Sequence, residues 1–147
     1  MVIFLKYWNK PNETENAFQG GWFHTGDMGK RDEENFLYIV GRKIDLIISS
    51  GENIYSLEVE RAIESIPQVV EAAAVAMPDS KRGEVVAAFV LLNKGAGLSK
   101  NELVEDLHGK IAHFKIPKKV FFIEDFPRNS AGKILKKKLR AQLNPSL

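Results

Sequence analysis

The sequence predicts an α+β domain with a small, mostly antiparallel sheet flanked by about three helices, preceded by a shorter β-rich segment. Three observations carry this. Near residue 42 the pattern changes from aromatic pieces broken by glycine and proline to alternating helix and strand signals. The stretch after that change is roughly 100 residues, long enough to bury its own core. The 147 residues contain no Cys, with 44% hydrophobic and 27% charged residues, a composition that excludes disulfides and thiolate metal sites and fits an ordinary folded domain.

Up to Val40 the chain is a series of aromatic pieces, Tyr7-Trp8, Gly21-Trp22-Phe23-His24 and Asn35 to Val40, interrupted by Pro11, Asn12, Gly20, Gly21, Gly26 and Gly29. Short strands and turns fit best, with one short helix over Glu13 to Phe18. Gly26-Asp27 and the charged run Lys30 to Glu34 carry the chain round into a strand at Phe36 to Val40. So short a piece has little core of its own and reads as the edge of something larger.

From Arg42 the elements follow in order. Leu46 to Ile48 is a strand, and Ser49-Ser50-Gly51-Glu52-Asn53 a loop of turn residues. Ser56 caps a helix to about Ile66, with Leu57, Val59, Ala62, Ile63 and Ile66 on one face. Val69 to Ala76 and Glu84 to Leu92 are β-rich runs separated by Pro78-Asp79-Ser80. Ser99-Lys100-Asn101-Glu102 matches a capping box and opens a helix over 100–112, with Leu103, Val104, Leu107 and Ile111 as its apolar stripe. Val120 to Ile123 is a strand, Pro127 to Gly132 a loop, and Ile134 to Leu143 a basic helix.

A net charge of +2, from 21 Lys+Arg against 19 Asp+Glu, carries no general polyanion signal, although the last twenty residues are locally basic. The apolar run Val85 to Leu92 is far below the ~20 residues that cross a bilayer, and Met1 to Tyr7 lacks a signal-peptide layout. The expected location is the cytoplasm.

Three motifs can carry chemistry. In Thr25-Gly26-Asp27 a turn presents a carboxylate that can accept hydrogen bonds from vicinal sugar hydroxyls; taken alone, such a tripeptide is more often a plain turn. Gly41-Arg42-Lys43-Ile44-Asp45, followed by Ser49 to Tyr55, places a fixed cation before a glycine-containing loop that a ligand can approach closely. Its bland counterpart is a salt-bridged strand entrance. Pro127 to Lys133 sets a lysine on a glycine-bearing loop, where an ammonium can stabilise developing negative charge. The neighbouring Lys136, Lys137, Lys138 and Arg140 read as a solvated helix face, with nucleic-acid binding a minor alternative.

Taken in order, Trp8-Asn9-Lys10-Pro11, Gly21 to Asp27, Gly41-Arg42, Ser50 to Tyr55, Phe114-Lys115-Ile116-Pro117 and Gly132-Lys133-Ile134 closely resemble the carboxyl-terminal third of the adenylate-forming superfamily, and most closely its fatty acyl-CoA ligases. That superfamily comprises acyl-CoA synthetases, peptide-synthetase adenylation domains and firefly-type luciferases. The resemblance covers nearly the whole chain. It implies that residues 1–41 are the end of a large adenylating domain, 42–45 a hinge, and 46–147 a small domain that rotates between two steps. In the first step a carboxylate attacks the α-phosphate of MgATP; in the second the CoA thiolate displaces AMP. It further implies that Asp27, beside Thr25, holds the ribose hydroxyls, that Arg42 assists it, and that Lys133 enters the site for adenylation. Ser50, Gly51 and Glu52 then line the pantetheine passage, and Phe114 and Lys115 lie near the CoA nucleotide.

Two positions depart from the family pattern. Ile44 stands at the pivot, where Asp or Lys is usual, and its branched side chain restricts the backbone there. Ser56 stands where Pro is common, a mild change. The phosphate loop, the acyl pocket and the magnesium-binding glutamate of the family fall upstream, so the fragment is expected to be inactive alone, to hold no metal itself, and to self-associate through its aromatics. The rival interpretation is a stand-alone binding module whose basic helix meets a carrier protein or another acidic partner.

Overall fold

The structure, a computed structural model, describes residues 4–143. Its elements are α1 (Pro11–Ala17), β1 (Asp27–Arg31), β2 (Leu37–Arg42), β3 (Leu46–Ser49), β4 (Glu52–Tyr55), α2 (Ser56–Glu64), β5 (Val69–Asp79), β6 (Gly83–Leu92), α3 (Lys100–Leu107), β7 (Lys119–Ile123) and α4 (Lys136–Leu143). The class is α+β, as the sequence predicts.

Strands β1 and β2 form a separate antiparallel hairpin, with Asp27 opposite Arg42 and Arg31 opposite Leu37. The turn falls at Asp32 to Asn35, later than Gly26-Asp27: the Asp32 carboxylate accepts the Phe36 N–H at 2.9 Å. Before the hairpin, Phe4, Tyr7, Phe18 and Phe23 pack on one another with ring centroids 4.8 to 5.6 Å apart. This local cluster buries little. Among the described residues every buried apolar side chain lies at Ile47 or beyond.

The second sheet runs β4-β3-β6-β5, with β7 alongside β6 as its one parallel pair. In β6 the whole run Val85 to Val90 is buried, because both faces of the sheet are covered, which is why it lacks polar alternation. Successive side chains point to opposite faces. Ala72, Ala74, Val86, Ala88 and Val90 meet Ile47, Ile54, Val59, Ile63, Leu103 and Leu107 on the side of α2 and α3. Ala73, Val75, Ala87 and Phe89 meet Phe126 and Leu139 on the side of α4. Strand β5 is an edge, and two of its outward N–H groups are taken by helix side chains: Glu64 accepts from Ala72 at 3.1 Å and Glu60 from Ala74 at 2.8 Å.

Several local expectations are corrected. Ser49 to Asn53 is a hairpin turn of two residues, Ser50 and Gly51, both at positive φ (51° and 85°), and β4 begins immediately after it; this is the geometry whose twist matches the flanking strands. Pro78 lies within β5 opposite Glu84, and the turn is instead closed by Asp79, which accepts the N–H groups of Lys81 and Arg82. Ser56 is the first residue inside α2 and not its cap, a position held by Tyr55. Helix α2 stops at Glu64, short of Pro67, whose ring disfavours helical backbone before it. Helix α3 has the expected capping box, with Glu102 N–H to Ser99 Oγ at 3.2 Å and Ser99 N–H to Glu102 Oε2 at 2.8 Å. It ends at Leu107, however, where His108 turns extended. Helix α4 starts at Lys136 because Ile134 is bridged to Arg128.

Candidate functional site

Register brings the first pair together. Asp27 opens β1 and Arg42 closes β2, so the two side chains face each other, with Arg42 Nε donating to Asp27 Oδ1 at 2.8 Å. Thr25 Oγ1 accepts the Asp27 N–H at 3.0 Å and so orients the turn that presents the carboxylate. The hydrogen bond from Arg42, with the positive charges of Arg42 and Lys133 and the Thr25 contact, holds the Asp27 carboxyl below its ordinary value against a smaller effect of desolvation. Reciprocally, the hydrogen bond to Asp27 raises Arg42. The result is a fixed carboxylate beside a fixed guanidinium.

Lys133 arrives from the far end of the chain. The Pro127-to-Ile134 segment folds into a tight loop: Asn129 Oδ1 accepts from Ala131 at 3.1 Å and from Lys133 at 2.9 Å, and Leu135 N–H donates to the Pro127 carbonyl at 2.7 Å. This loop points Lys133 into a cleft of about 510 Å³, lined by Ile39, Gly41 and Arg42 on the hairpin, by Ile44 and Asp45 on the connection, and by Glu71 and Arg128 on the larger unit. Among the described residues Lys133 makes no ion pair. The ammonium of Lys133 thus shares the cleft with Arg42, and its charge reaches the Asp27 carboxyl that Arg42 holds, a placement that can meet an anionic ligand.

Ser50, Gly51, Glu52, Phe114 and Lys115 do not line that cleft. The first three form the tip of the β3–β4 hairpin, held beside the β5–β6 turn by the Ser50 N–H to Arg82 carbonyl bond at 2.9 Å. Phe114 packs at the edge of the larger core, while Lys115 Nζ is held by both oxygens of Glu58 at 2.6 and 2.8 Å.

The connection between the units carries a network that the sequence reading missed. Ile44, 75% exposed, sits in a single 3₁₀ turn, Lys43–Asp45. Arg140 bonds the Asp45 carboxylate and donates to the Ile44 carbonyl at 3.2 Å. Lys136 Nζ lies 2.5 Å from Glu60 Oε1 and 3.0 Å from Ser56 Oγ, and its side chain is only 19% exposed. The solvated role expected for Lys136 and Arg140 is therefore corrected; both are consumed internally. The sequence did hold a signal, since Ser56 and Glu60, and likewise Lys136 and Arg140, are four apart and share a helix face.

Comparison with known proteins places this α+β unit among the carboxyl-terminal parts of the adenylate-forming superfamily. The chain belongs to the family described as the AMP-binding enzyme C-terminal domain, matched over residues 58–133. It is 44% identical over 146 residues to the long-chain-fatty-acid--CoA ligase FadD13 of Mycobacterium tuberculosis, covering 99% of this chain and 29% of that ligase. To the 2-succinylbenzoate--CoA ligase of Bacillus cereus it is 46% identical over 134 residues, covering 91% of this chain and 27% of the relative. Its fold matches ATP-bound MatB from Rhodopseudomonas palustris with TM-score 0.86 at 39% identity, over 99% of this chain and 29% of that one. Apo MatB, at the same coverage and 40% identity, gives 0.73. The chain thus spans less than a third of the length of these relatives.

Proposed function

We propose that this chain is the end of the large domain (1–41), the hinge (42–45) and the mobile small domain (46–147) of an ATP-dependent, AMP-forming acid–thiol ligase that joins a carboxylic acid, of the fatty acid class, to CoA in the cytoplasm. The observation that carries it is Lys133 sharing one cleft with Arg42, which is bonded to Asp27. The higher TM-score to ATP-bound than to apo MatB supports taking this as the adenylating arrangement.

In that arrangement Asp27 accepts the ribose hydroxyls and Arg42 keeps it ionised. A carboxylate oxygen bonds to the α-phosphorus of ATP as the bond to the pyrophosphate oxygen breaks, and pyrophosphate leaves with that electron pair. Lys133 neutralises charge gathering on the carboxylate and nucleotide oxygens, and such a donor counts most where charge develops. The CoA thiolate then attacks the acyl carbon, and AMP departs. For that step the small domain turns at Ile44 and brings Ser50 to Glu52 to the pantetheine passage, with Phe114 and Lys115 toward the CoA nucleotide; Lys115 exchanges Glu58 for a phosphate. In this reading Mg²⁺ is held largely by the remainder of the large domain and not by these residues.

The fragment alone is expected to be inactive. Its exposed aromatics, with Trp8 at 82% and Trp22 at 78%, support packing on the rest of the large domain, or self-association without it. A stand-alone module using the basic helix is less supported, since Lys136 and Arg140 are already paired within the chain. The test is pyrophosphate exchange into ATP by the full-length protein. Lys133→Ala should slow it by about 10² to 10³ while sparing thioester formation from pre-made acyl-adenylate. An equally silent Lys133→Ala and Lys137→Ala pair sinks the ligase assignment.

A further inference from the structure

We infer that Arg128, held by Glu71, is the positioning residue for Lys133; this rests on the ligase function proposed above. The hydrogen bonds within the Pro127-to-Ile134 loop fix its shape but not where it points. At its ends Phe126 and Ile134 pack into the smaller core. In between, the loop is tied to the sheet by one guanidinium. Arg128 Nη1 donates to Glu71 Oε1 at 3.2 Å, Nη2 bonds Glu71 Oε2, and Nη1 also donates to the Gly132 carbonyl at 3.0 Å.

That carbonyl belongs to the peptide unit joining Gly132 to Lys133. A peptide unit is planar, so fixing its oxygen and its N–H fixes the whole plane. Arg128 holds the oxygen and Asn129 Oδ1 takes the Lys133 N–H at 2.9 Å. The plane needs both restraints because it follows Gly132, whose φ of +79° is readily abandoned by a residue without a Cβ. With the plane fixed and the Lys133 carbonyl accepting the Asn129 N–H at 3.0 Å, the backbone on both sides of the Lys133 Cα is held, which sets its Cα–Cβ direction in the cleft that Arg42 also lines.

The chemistry favours positioning over stability. The Arg128 and Glu71 side chains are 33% and 30% exposed, and ion pairs so open to solvent add little to folding. The two-pronged pairing nevertheless sets a definite direction, and a lysine at 128 cannot serve both the carboxylate and the carbonyl in the same plane. Arg128 touches no reacting atom in this scheme and acts through Lys133.

The test uses the full-length enzyme, with pyrophosphate exchange for the first step and CoA turnover of pre-made acyl-adenylate for the second. Arg128→Ala should lower the kcat of exchange by about 10- to 10²-fold, the scale of a misplaced catalytic group. It should leave the KM for ATP within about twofold and spare the second step, and Arg128→Lys should not restore the rate. In a Lys133→Ala background it should add nothing, since two residues acting as one unit are not additive. Glu71→Gln preserves shape and gives a second route should Arg128→Ala fold poorly; a smaller loss with the same non-additivity is expected. Additive losses in the Lys133→Ala background, or equal losses in both steps, overturn the positioning role. So does an effect at Lys133 with none at Arg128 or Glu71. A silent Lys133→Ala overturns the ligase assignment and this role together.

Discussion

Residues 4–41 and residues 46–143 are built on different terms. The first stretch leaves Trp8, Trp22, Phe36 and Leu37 exposed and buries no apolar side chain of its own, whereas the second closes two cores on the two faces of one sheet. Asp27 stands on the stretch without a core, Arg42 directly after it at the end of the same hairpin, and Lys133 on the self-sufficient stretch. If the chain works as proposed, a site divided this way would be assembled and taken apart by moving one body against the other between the two steps.

The largest expected effect tests the contrast directly. In this chain Ile63→Ala should destabilise by about 2 to 5 kcal/mol, because it empties a fully buried position. Trp22→Ala should change unfolding by less than about 0.5 kcal/mol. Chemical denaturation followed by circular dichroism checks both, and comparable losses at the two positions would show that one core spans the chain. Next in size is Lys136→Ala, which removes the cation serving Glu60 and the Ser56 hydroxyl. A loss of about 1 to 3 kcal/mol is expected for stranding those groups, against no measurable change for Lys137→Ala in the same melts.

What could be read from the sequence was local. Asp27, Arg42 and Lys133 sit in short motifs, the Ser99–Glu102 box lies within four residues, and the strands announce themselves by β-rich runs. The pairings Glu60–Lys136, Asp45–Arg140 and Glu71–Arg128 join residues far apart in the chain, and no window of sequence contains both partners. Lys136 therefore looked like its solvated neighbours until the fold brought it to Ser56 and Glu60 of α2. The ends of the helices were missed for a related reason: apolar spacing continues through Ile66 and Ile111, but Pro67 and the extended His108 stop the backbone first.

A smaller effect is expected at the joint between the two bodies. Ile44→Asp in the full-length enzyme should leave pyrophosphate exchange within about twofold and alter CoA turnover by about threefold or more, as a hinge change selective for the second step would. Equal changes in both half-reactions would move the pivot away from Ile44. Smallest of all is the pH response of Asp27. Its carboxyl is held below the ordinary 3.8, so its pairing with Arg42 is fully present above that value and is lost only as pH falls through the lower folded one. Between about pH 5 and 8, Asp27 should contribute no step to nucleotide affinity in the full-length enzyme. A step in that range that vanishes in Asp27→Asn would contradict this.

The two glutamates that bond Ala72 and Ala74 also decide how copies of this domain can meet. An open edge strand offers its N–H and C=O groups to any passing strand and invites sheet-to-sheet zippering. On β5 two of those N–H groups are already spoken for, and helix α2, which supplies the carboxylates, lies along the strand that a newcomer would have to approach. The sheet therefore ends chemically along β5, and copies of this chain should stick by their aromatic amino-terminal stretch before they pair along that strand.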